Sequence, residues 1–536
     1  MRPILLVLAL IAALAAPPAR AQDEAAAREA LAVLAAGNLD AMEPAIGTIA
    51  RSGVPWAEPV LRALLDGRLL ARQAHRAVFL RTAEGAILDV ASGAPAEVEA
   101  RALRPIRINN RLRRTLEGAL GSLTLASPDR AVRLAAAEKL FARPDPSALE
   151  PLETALAREA DPAVRAAFAR ARAAILLDHG EPGVRAEAAA RLAESPSPAV
   201  LGKLQAARRA LPADVDPATV AALDAAIARV DTRLRLLEFA QTFFQGVSLG
   251  SVLLLAAIGL AVTFGVMGVI NMAHGEMVML GAYATWAVQQ AFRVFFPGAL
   301  DASLLAAVPA AFLVAGAAGW AIERGVISRL YGRPLETLLA TFGISLILQQ
   351  AVRLGIGATN REVVTPSWMS GFVEPIPGLA LTTNRIVIVL FAVAVFLLLL
   401  ALVRATRLGL EIRAVTQNRR MAETMGIRTP RVDALTFALG SGIAGIGGVA
   451  LAQIDNVSPN LGQAYIVDSF VVVVFGGVGN LWGTFLGALT LGVVNKLLEP
   501  LAGAVLGKIL VLLALILFIQ RRPQGLFALR GRAAEA

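Results

Sequence analysis

The sequence predicts an all-α protein in two parts, a polytopic transmembrane helical domain of about nine spans preceded by an exported α-helical domain. Three observations lead there. Beyond residue 239, uncharged apolar runs such as 251–266, 386–403 and 509–519 follow one another, and a single charge at mid-membrane costs roughly 2.5–3.5 kcal/mol. Before residue 239 the chain is rich in Ala, Leu, Arg and Glu and poor in β-branched runs, a helix-forming and water-compatible composition. Arginine is concentrated in alternate loops of the apolar half, as expected for loops that stay on the cytoplasmic side.

In chain order, residues 1–21 read as a signal peptide. Arg2 supplies the positive end, 4–16 is apolar but short for a span, Pro17-Pro18 breaks the helix, and Ala19-Arg20-Ala21 gives a small-x-small cut before Gln22. Residues 22–238 then form a domain outside the cytoplasm. Asp145-Pro146, Asp161-Pro162 and Asp216-Pro217 are helix starts, each an N-cap followed by a first-turn proline. A weak repeat links Asp129-Arg-Ala-Val-Arg133, Asp161-Pro-Ala-Val-Arg165 and Glu181-Pro-Gly-Val-Arg185. It suits either a HEAT-like stack of helix pairs or a small helical bundle. The stretches 77–82 and 86–90 read as a β-hairpin with Glu84-Gly85 at its turn.

In the domain 239–527 the expected spans are 243–266, 270–291, 303–322, 335–356, 386–403, 432–454, 465–478, 483–497 and 505–519. One set of loops holds Arg324, Arg329 and Arg333, then Arg404, Arg407, Arg413, Arg419, Arg420, Arg428 and Arg431, then Arg521, Arg522, Arg530 and Arg532. The opposite set holds only Arg293, Arg361, Arg385 and Lys508, with Lys496 at a span end. This asymmetry puts the N-terminal domain outside and the tail 528–536 in the cytoplasm. It also accounts for the net charge of +10 without any nucleic-acid partner. The absence of cysteine excludes thiolate catalysis and Cys-based metal sites. The three histidines, His75, His179 and His274, are too far apart in sequence to suggest a metal centre, and no cofactor is expected.

Two segments carry candidate chemistry. Asn271, His274 and Glu276 lie beside two apolar runs, where polar groups are expensive unless paired or facing water. They would either gate and line a polar path or cap a broken helix and tie two helices together. Gly476, Gly477 and Gly479 interrupt the last spans, which marks either a re-entrant substrate path or a plain hairpin turn. The Arg-rich loop 404–431 contains an amphipathic segment, with Ile412, Val415 and Met421 between charges. Such a helix docks a soluble partner or lies on headgroups. No Gly-x-x-x-x-Gly-Lys-Ser/Thr occurs, so nucleotide hydrolysis by that route would need other subunits.

Five stretches carry a family resemblance: Gly246-Val-Ser-Leu-Gly250-Ser, Gly265-Val-Met-Gly-Val-Ile-Asn-Met-Ala-His-Gly-Glu276, Met279-Leu-Gly-Ala-Tyr283, Phe470-Val-Val-Val-Val-Phe-Gly-Gly-Val-Gly479 and Arg522-Pro-Gln-Gly-Leu-Phe527. They resemble the permeases of branched-chain amino acid ABC importers, over residues 237–527. The exported extension makes the chain most similar to the urea-type permease of that group. The resemblance implies a non-enzymatic subunit of a bacterial inner-membrane importer. Its partners would be a second homologous permease, two cytoplasmic ATP-binding subunits and a periplasmic solute-binding protein. It implies that the 404–431 loop holds the coupling helix, with Gln417, Asn418, Ala422, Glu423 and Gly426 as contact candidates. Ala422 and Gly426 match the coupling pattern of such importers, while Arg420 stands where that pattern has Glu. Urea or a short-chain amide is the first substrate expectation and branched-chain amino acids the alternative. A secondary transporter would need more buried carboxylates than Glu276 and Asp468, and a membrane-anchored sensor needs far fewer spans.

Overall fold

The computed structural model describes residues 19–72, 77–82, 86–90, 94–96, 103–212 and 215–527. The leader up to residue 18, His75, the Glu84-Gly85 turn and the tail 528–536 lie outside the described residues. The chain divides into two compact units, 1–234 and 235–536.

The first unit begins with α1 (Ala19–Ala36), α2 (Leu39–Arg51) and α3 (Ala57–Leu65). A small antiparallel sheet follows, β1 (Leu69–Arg72), β2 (Ala77–Arg81), β3 (Ile87–Asp89) and β4 (Arg104–Pro105), in the order β3-β2-β1-β4. The expected hairpin is the β2–β3 pair, with Leu80 opposite Leu88. The sequence reading missed β1 and β4, because Leu69–Arg72 and a two-residue strand are too short to show a period-two pattern. The sheet and the first helices share a core that includes Leu34, Ile46, Leu61, Leu69 and Leu116.

Six helices complete this unit: α4 (Asn110–Leu125), α5 (Arg130–Ala142), α6 (Leu149–Arg158), α7 (Pro162–His179), α8 (Pro182–Leu192) and α9 (Pro198–Ala210). Residues 217–234 of α10 (Pro217–Met267) also pack here, Leu223, Ala226 and Val230 sharing a core with Leu177, Leu192 and Leu204. The weak repeat now has a physical meaning. Asp129 and Asp161 cap their helices by accepting from Ala131 N and Ala163 N, both at 2.8 Å. The arginine four residues on then folds back onto the preceding loop. Arg133 donates to the Ser127 carbonyl at 2.7 Å, Arg165 to the Glu159 carbonyl through Nε at 3.1 Å, and Arg185 to the Gly180 carbonyl at 2.7 Å. The first two copies therefore cap the new helix from the Asp side chain, and in all three the arginine ties down the loop that entered the helix, Glu181 making no side-chain cap. Glu159 joins two copies, pairing with Arg133 at 2.8 Å and accepting from Asp161 N at 2.9 Å. That backbone hydrogen bond, with Arg133 beside it, holds the Glu159 carboxyl below the usual range.

The second unit contains the rest of α10, then α11 (His274–Phe295), α12 (Ser303–Gly325) and α13 (Pro334–Gly355). The two-residue strands β5 (Phe372–Val373) and β6 (Leu381–Thr382) pair ahead of α14 (Thr383–Ala405). Next come α15 (Arg407–Gln417), α16 (Arg419–Thr424), α17 (Thr429–Leu451), α18 (Leu461–Gly476) and α19 (Leu481–Arg521). Six helical stretches among the described residues are long and apolar enough to cross a membrane, against the nine spans expected.

The difference has three sources. The expected span at 270–291 begins at His274 rather than Ile270, because α10 ends at Gly268 (φ 65°), and α11 carries His274, Glu276 and two glutamines. Helix α18 has 16 residues, about 24 Å of rise, which is short of a bilayer core. Spans 483–497 and 505–519 fall within one element, α19, which is broken at Gly503 (φ 76°, ψ 162°) just after Pro500.

Burial sorts the helices. The apolar windows of α10 and α17 are 89% and 78% buried, whereas that of α19 is 17% buried, so α10 and α17 are central and α19 peripheral. Small residues make that centre possible, since packing in a bilayer is driven by close backbone approach. Gly440 of α17 meets Gly259 of α10, and Gly445 and Gly448 meet Gly281 of α11.

A buried polar cluster at the break between α10 and α11

After Met267 the chain runs non-helically to Ala273 and re-enters a helix at His274. The side chains of Asn271, His274 and Glu276 are buried, none more than 1% exposed. Asn271 Oδ1 accepts from Ala273 N at 3.0 Å, fixing the turn that leads into α11. His274 Nε2 lies 2.8 Å from the Ala256 carbonyl of α10. A carbonyl can only accept, so Nε2 carries the proton and fastens α11 to α10. His274 and Glu276 do not bond each other; each makes its own attachment to a neighbouring helix. Successive helix positions point about 100° apart, so residues two apart face different neighbours.

Glu276 faces α13. Its Oε1 accepts from Ser345 Oγ at 2.9 Å and Gln349 Nε2 at 2.7 Å, while Oε2 has no partner among the described residues. One turn away on α13, Thr341 Oγ1 accepts from Met272 N at 3.2 Å. Thr337, Thr341, Ser345 and Gln349 recur every fourth residue and are all buried. They form a polar stripe about 18 Å long on the inner face of α13. The opposite face carries Leu335, Leu339, Ile347 and Leu354, each more than two-thirds exposed. The sequence reading missed this stripe, although polar residues at i, i+4, i+8 and i+12 within an otherwise apolar helix are a visible signal.

Gly476, Gly477 and Gly479 lie elsewhere. They form the turn between α18 and α19, with Gly477 at φ 104° and Gly479 at φ 78°. The backbone of Gly476 abuts that of Gly483, and a Cβ on Gly265 of α10 would strike Gly479 Cα at 2.6 Å. Asn480 Oδ1 caps α19 by accepting from Trp482 N and Gly483 N, both at 3.1 Å. The turn is covered by the 522–527 segment, with Leu526 N donating to the Phe475 carbonyl at 2.9 Å and Phe527 N to the Gly476 carbonyl at 3.2 Å.

The loop candidates form a compact two-helix hairpin. Gln417 ends α15, and Asn418 caps α16 by accepting from Met421 N at 3.0 Å. Ala422 is buried, and Glu423 accepts from Thr429 Oγ1 at 2.6 Å. Gly426 (φ 86°) closes α16 in the left-handed conformation, with Ile427 N returning to the Ala422 carbonyl at 3.1 Å. Arg419 locks the hairpin to α17. It bonds Asp433 at 3.2 and 2.5 Å, reaches the Tyr331 hydroxyl at 2.5 Å, and lies 4.1 Å from that ring centroid. Leu410, Met421 and Met425 are exposed apolar side chains of this hairpin, at 61%, 60% and 78%.

Comparison with known proteins agrees with this architecture. The family described as branched-chain amino acid transport system / permease component matches residues 242–519. The high-affinity branched-chain amino acid transport system permease protein LivH of Salmonella typhimurium is 34% identical over 300 residues, covering 54% of this chain and 96% of that protein. The corresponding permease BraD of Pseudomonas aeruginosa is 30% identical over 295 residues, covering 54% and 95%. The ribose import permease protein RbsC of Haemophilus influenzae is 24% identical over 196 residues, covering 35% and 58%. No solved structure matches.

Proposed function

Since the chain belongs to the permease components of branched-chain amino acid transport systems, we propose that it forms one half of the translocation pathway of an ATP-driven importer of branched-chain amino acids. It is a helical, multi-pass membrane protein whose relatives are transport permeases and not enzymes. The observation that carries the reading is the buried stripe of α13, bonded by Glu276 and the Met272 backbone. A polar track this long, with leucines on the opposite face, is what a solute pathway beside lipid requires.

In this reading a second, homologous permease supplies the other half of the pathway, two cytoplasmic ATP-binding subunits supply the energy, and an extracytoplasmic binding protein delivers the substrate. The α15–α16 hairpin, with Gln417, Asn418, Ala422, Glu423 and Gly426, transmits nucleotide-driven motion through Arg419 to α17. Its exposed Leu410, Met421 and Met425 support that role. Gly477 and Gly479 hold the α18–α19 turn that borders α10.

Between the two substrate expectations, the relatives named for branched-chain amino acids align over nearly their full length. The extension that pointed to urea lies outside the matched residues 242–519. This favours branched-chain amino acids. Uptake by inside-out-excluded, ATP-loaded proteoliposomes holding the full complex and its binding protein is the test. Labelled leucine, isoleucine or valine should accumulate. Accumulation of urea without leucine would reverse the assignment.

The arginine asymmetry of the loops also supports an extracytoplasmic first unit and a cytoplasmic C-terminus. Protease added to right-side-out spheroplasts should remove the 22–234 region and spare an epitope placed after residue 527. Protection of the first unit would refute this orientation.

A further inference from the structure

We infer that Glu276 is the group that receives the α-ammonium of the amino acid in transit, an inference that rests on the branched-chain reading above. The carboxylate is used asymmetrically. Oε1 accepts both hydrogen bonds that come from α13, from Ser345 and Gln349, while the equally buried Oε2 accepts none. A buried carboxylate oxygen without a donor is costly, and an ammonium group supplies both the donors and the opposite charge. A carboxylate serving only to bridge α11 and α13 would leave Oε1 as the working atom and gain nothing from its charge.

The surroundings fit a zwitterion. Asn271 Nδ2, an amide donor, is likewise buried and without a partner among the described residues. Its chain neighbour Met272 bonds Thr341 of α13, one turn from Ser345 and about 6 Å along the axis. The segment 271–276 thus holds a buried acceptor suited to ammonium and a buried donor suited to carboxylate. No arginine or lysine bonds Glu276 among the described residues, so an incoming ammonium would be its first cationic partner.

Glu276→Gln separates charge from bridging. The glutamine carbonyl oxygen can accept from Ser345 and Gln349 as Oε1 does, whereas the ammonium site becomes an amide. With the complete complex in nanodiscs, binding of tritiated leucine is measured without the binding protein. Isoamylamine (ammonium retained) and isocaproate (carboxylate retained) serve as competitors. The wild type should bind leucine and yield to isoamylamine more readily than to isocaproate. E276Q should assemble in normal amounts and bind leucine at least about tenfold more weakly.

Leucine binding by E276Q at the wild-type level, a preference for isocaproate, or no binding by a wild type that imports leucine would each overturn the inference. Glu276→Asp, which keeps the charge, should restore part of the affinity. Failure of both variants to assemble would make Glu276 a structural residue and likewise overturn it. A wild type that imports urea but not leucine defeats the branched-chain reading itself, which is a separate result.

Discussion

Replacing Gly445 by leucine should remove assembled permease from the membrane. Gly445 sits in the middle of α17, and a Cβ there would stand 2.6 Å from the Ala311 carbonyl oxygen and 2.6 Å from the Ala315 Cβ, both on α12. The same glycine receives the backbone of Gly281 from α11 on its other side. Overpacking a core usually costs about 1–3 kcal/mol, because side chains can shift. Here the obstacle includes the α12 backbone at Ala311, which cannot swing aside as a side chain can, so the cost lies at or above the top of that range. Gly343→Leu on α13 is the control, since a Cβ there meets nothing within 4 Å. Size-exclusion chromatography of detergent extracts should show the folded species retained for G343L and nearly absent for G445L. A normal peak for G445L would mean that the three helices are not packed as described.

Arg419→Ala should leave a permease that inserts but no longer couples. Asp433 has a nearly buried side chain, 3% exposed, and its two short bonds come from Arg419. Removing one partner of a buried pair costs about 3–5 kcal/mol, because the other charge is stranded. The guanidinium also holds Tyr331 and so joins three segments: α16, α17 and the connection between α12 and α13. Uptake should fall at least about tenfold, while ATP hydrolysis by the complex loses its response to loaded binding protein. Arg419→Lys should recover only part of this, because an ammonium cannot both bond a carboxylate bidentately and stack on a ring. Asp433→Asn combined with Arg419→Ala should restore yield but not coupling. Normal uptake by the single variant would show that Arg419 does not transmit motion.

The membrane half was legible in the sequence because burial in lipid makes long uncharged runs obligatory. The number of crossings was less so. A hydropathy window sees composition, and cannot tell that α11 begins only after the Gly268 break, whereas the break at Gly503 does fall between the expected spans 483–497 and 505–519. Asn271, His274 and Glu276 stood out as polar residues in an apolar setting, but their partners did not. Glu276 meets residues 69 and 73 positions away, and His274 meets a backbone carbonyl that no side-chain pattern reveals. The four-residue spacing of Thr337, Thr341, Ser345 and Gln349 was present in the sequence and goes unnoticed when only charges are tracked. In the first unit the Asp and Arg of the repeat were visible as letters, while the folding back of each arginine onto a loop carbonyl required coordinates.

The glycine turn between α18 and α19 has a bearing on biosynthesis. The Phe475 and Gly476 carbonyls are satisfied by Leu526 and Phe527, which are translated after the whole of α19. The membrane helices before α19 can therefore be in the bilayer while this corner remains open. Closure waits for residues 522–527 to emerge, which makes it a late event in maturation and gives the short segment after α19 the role of a fastener applied when the rest is in place.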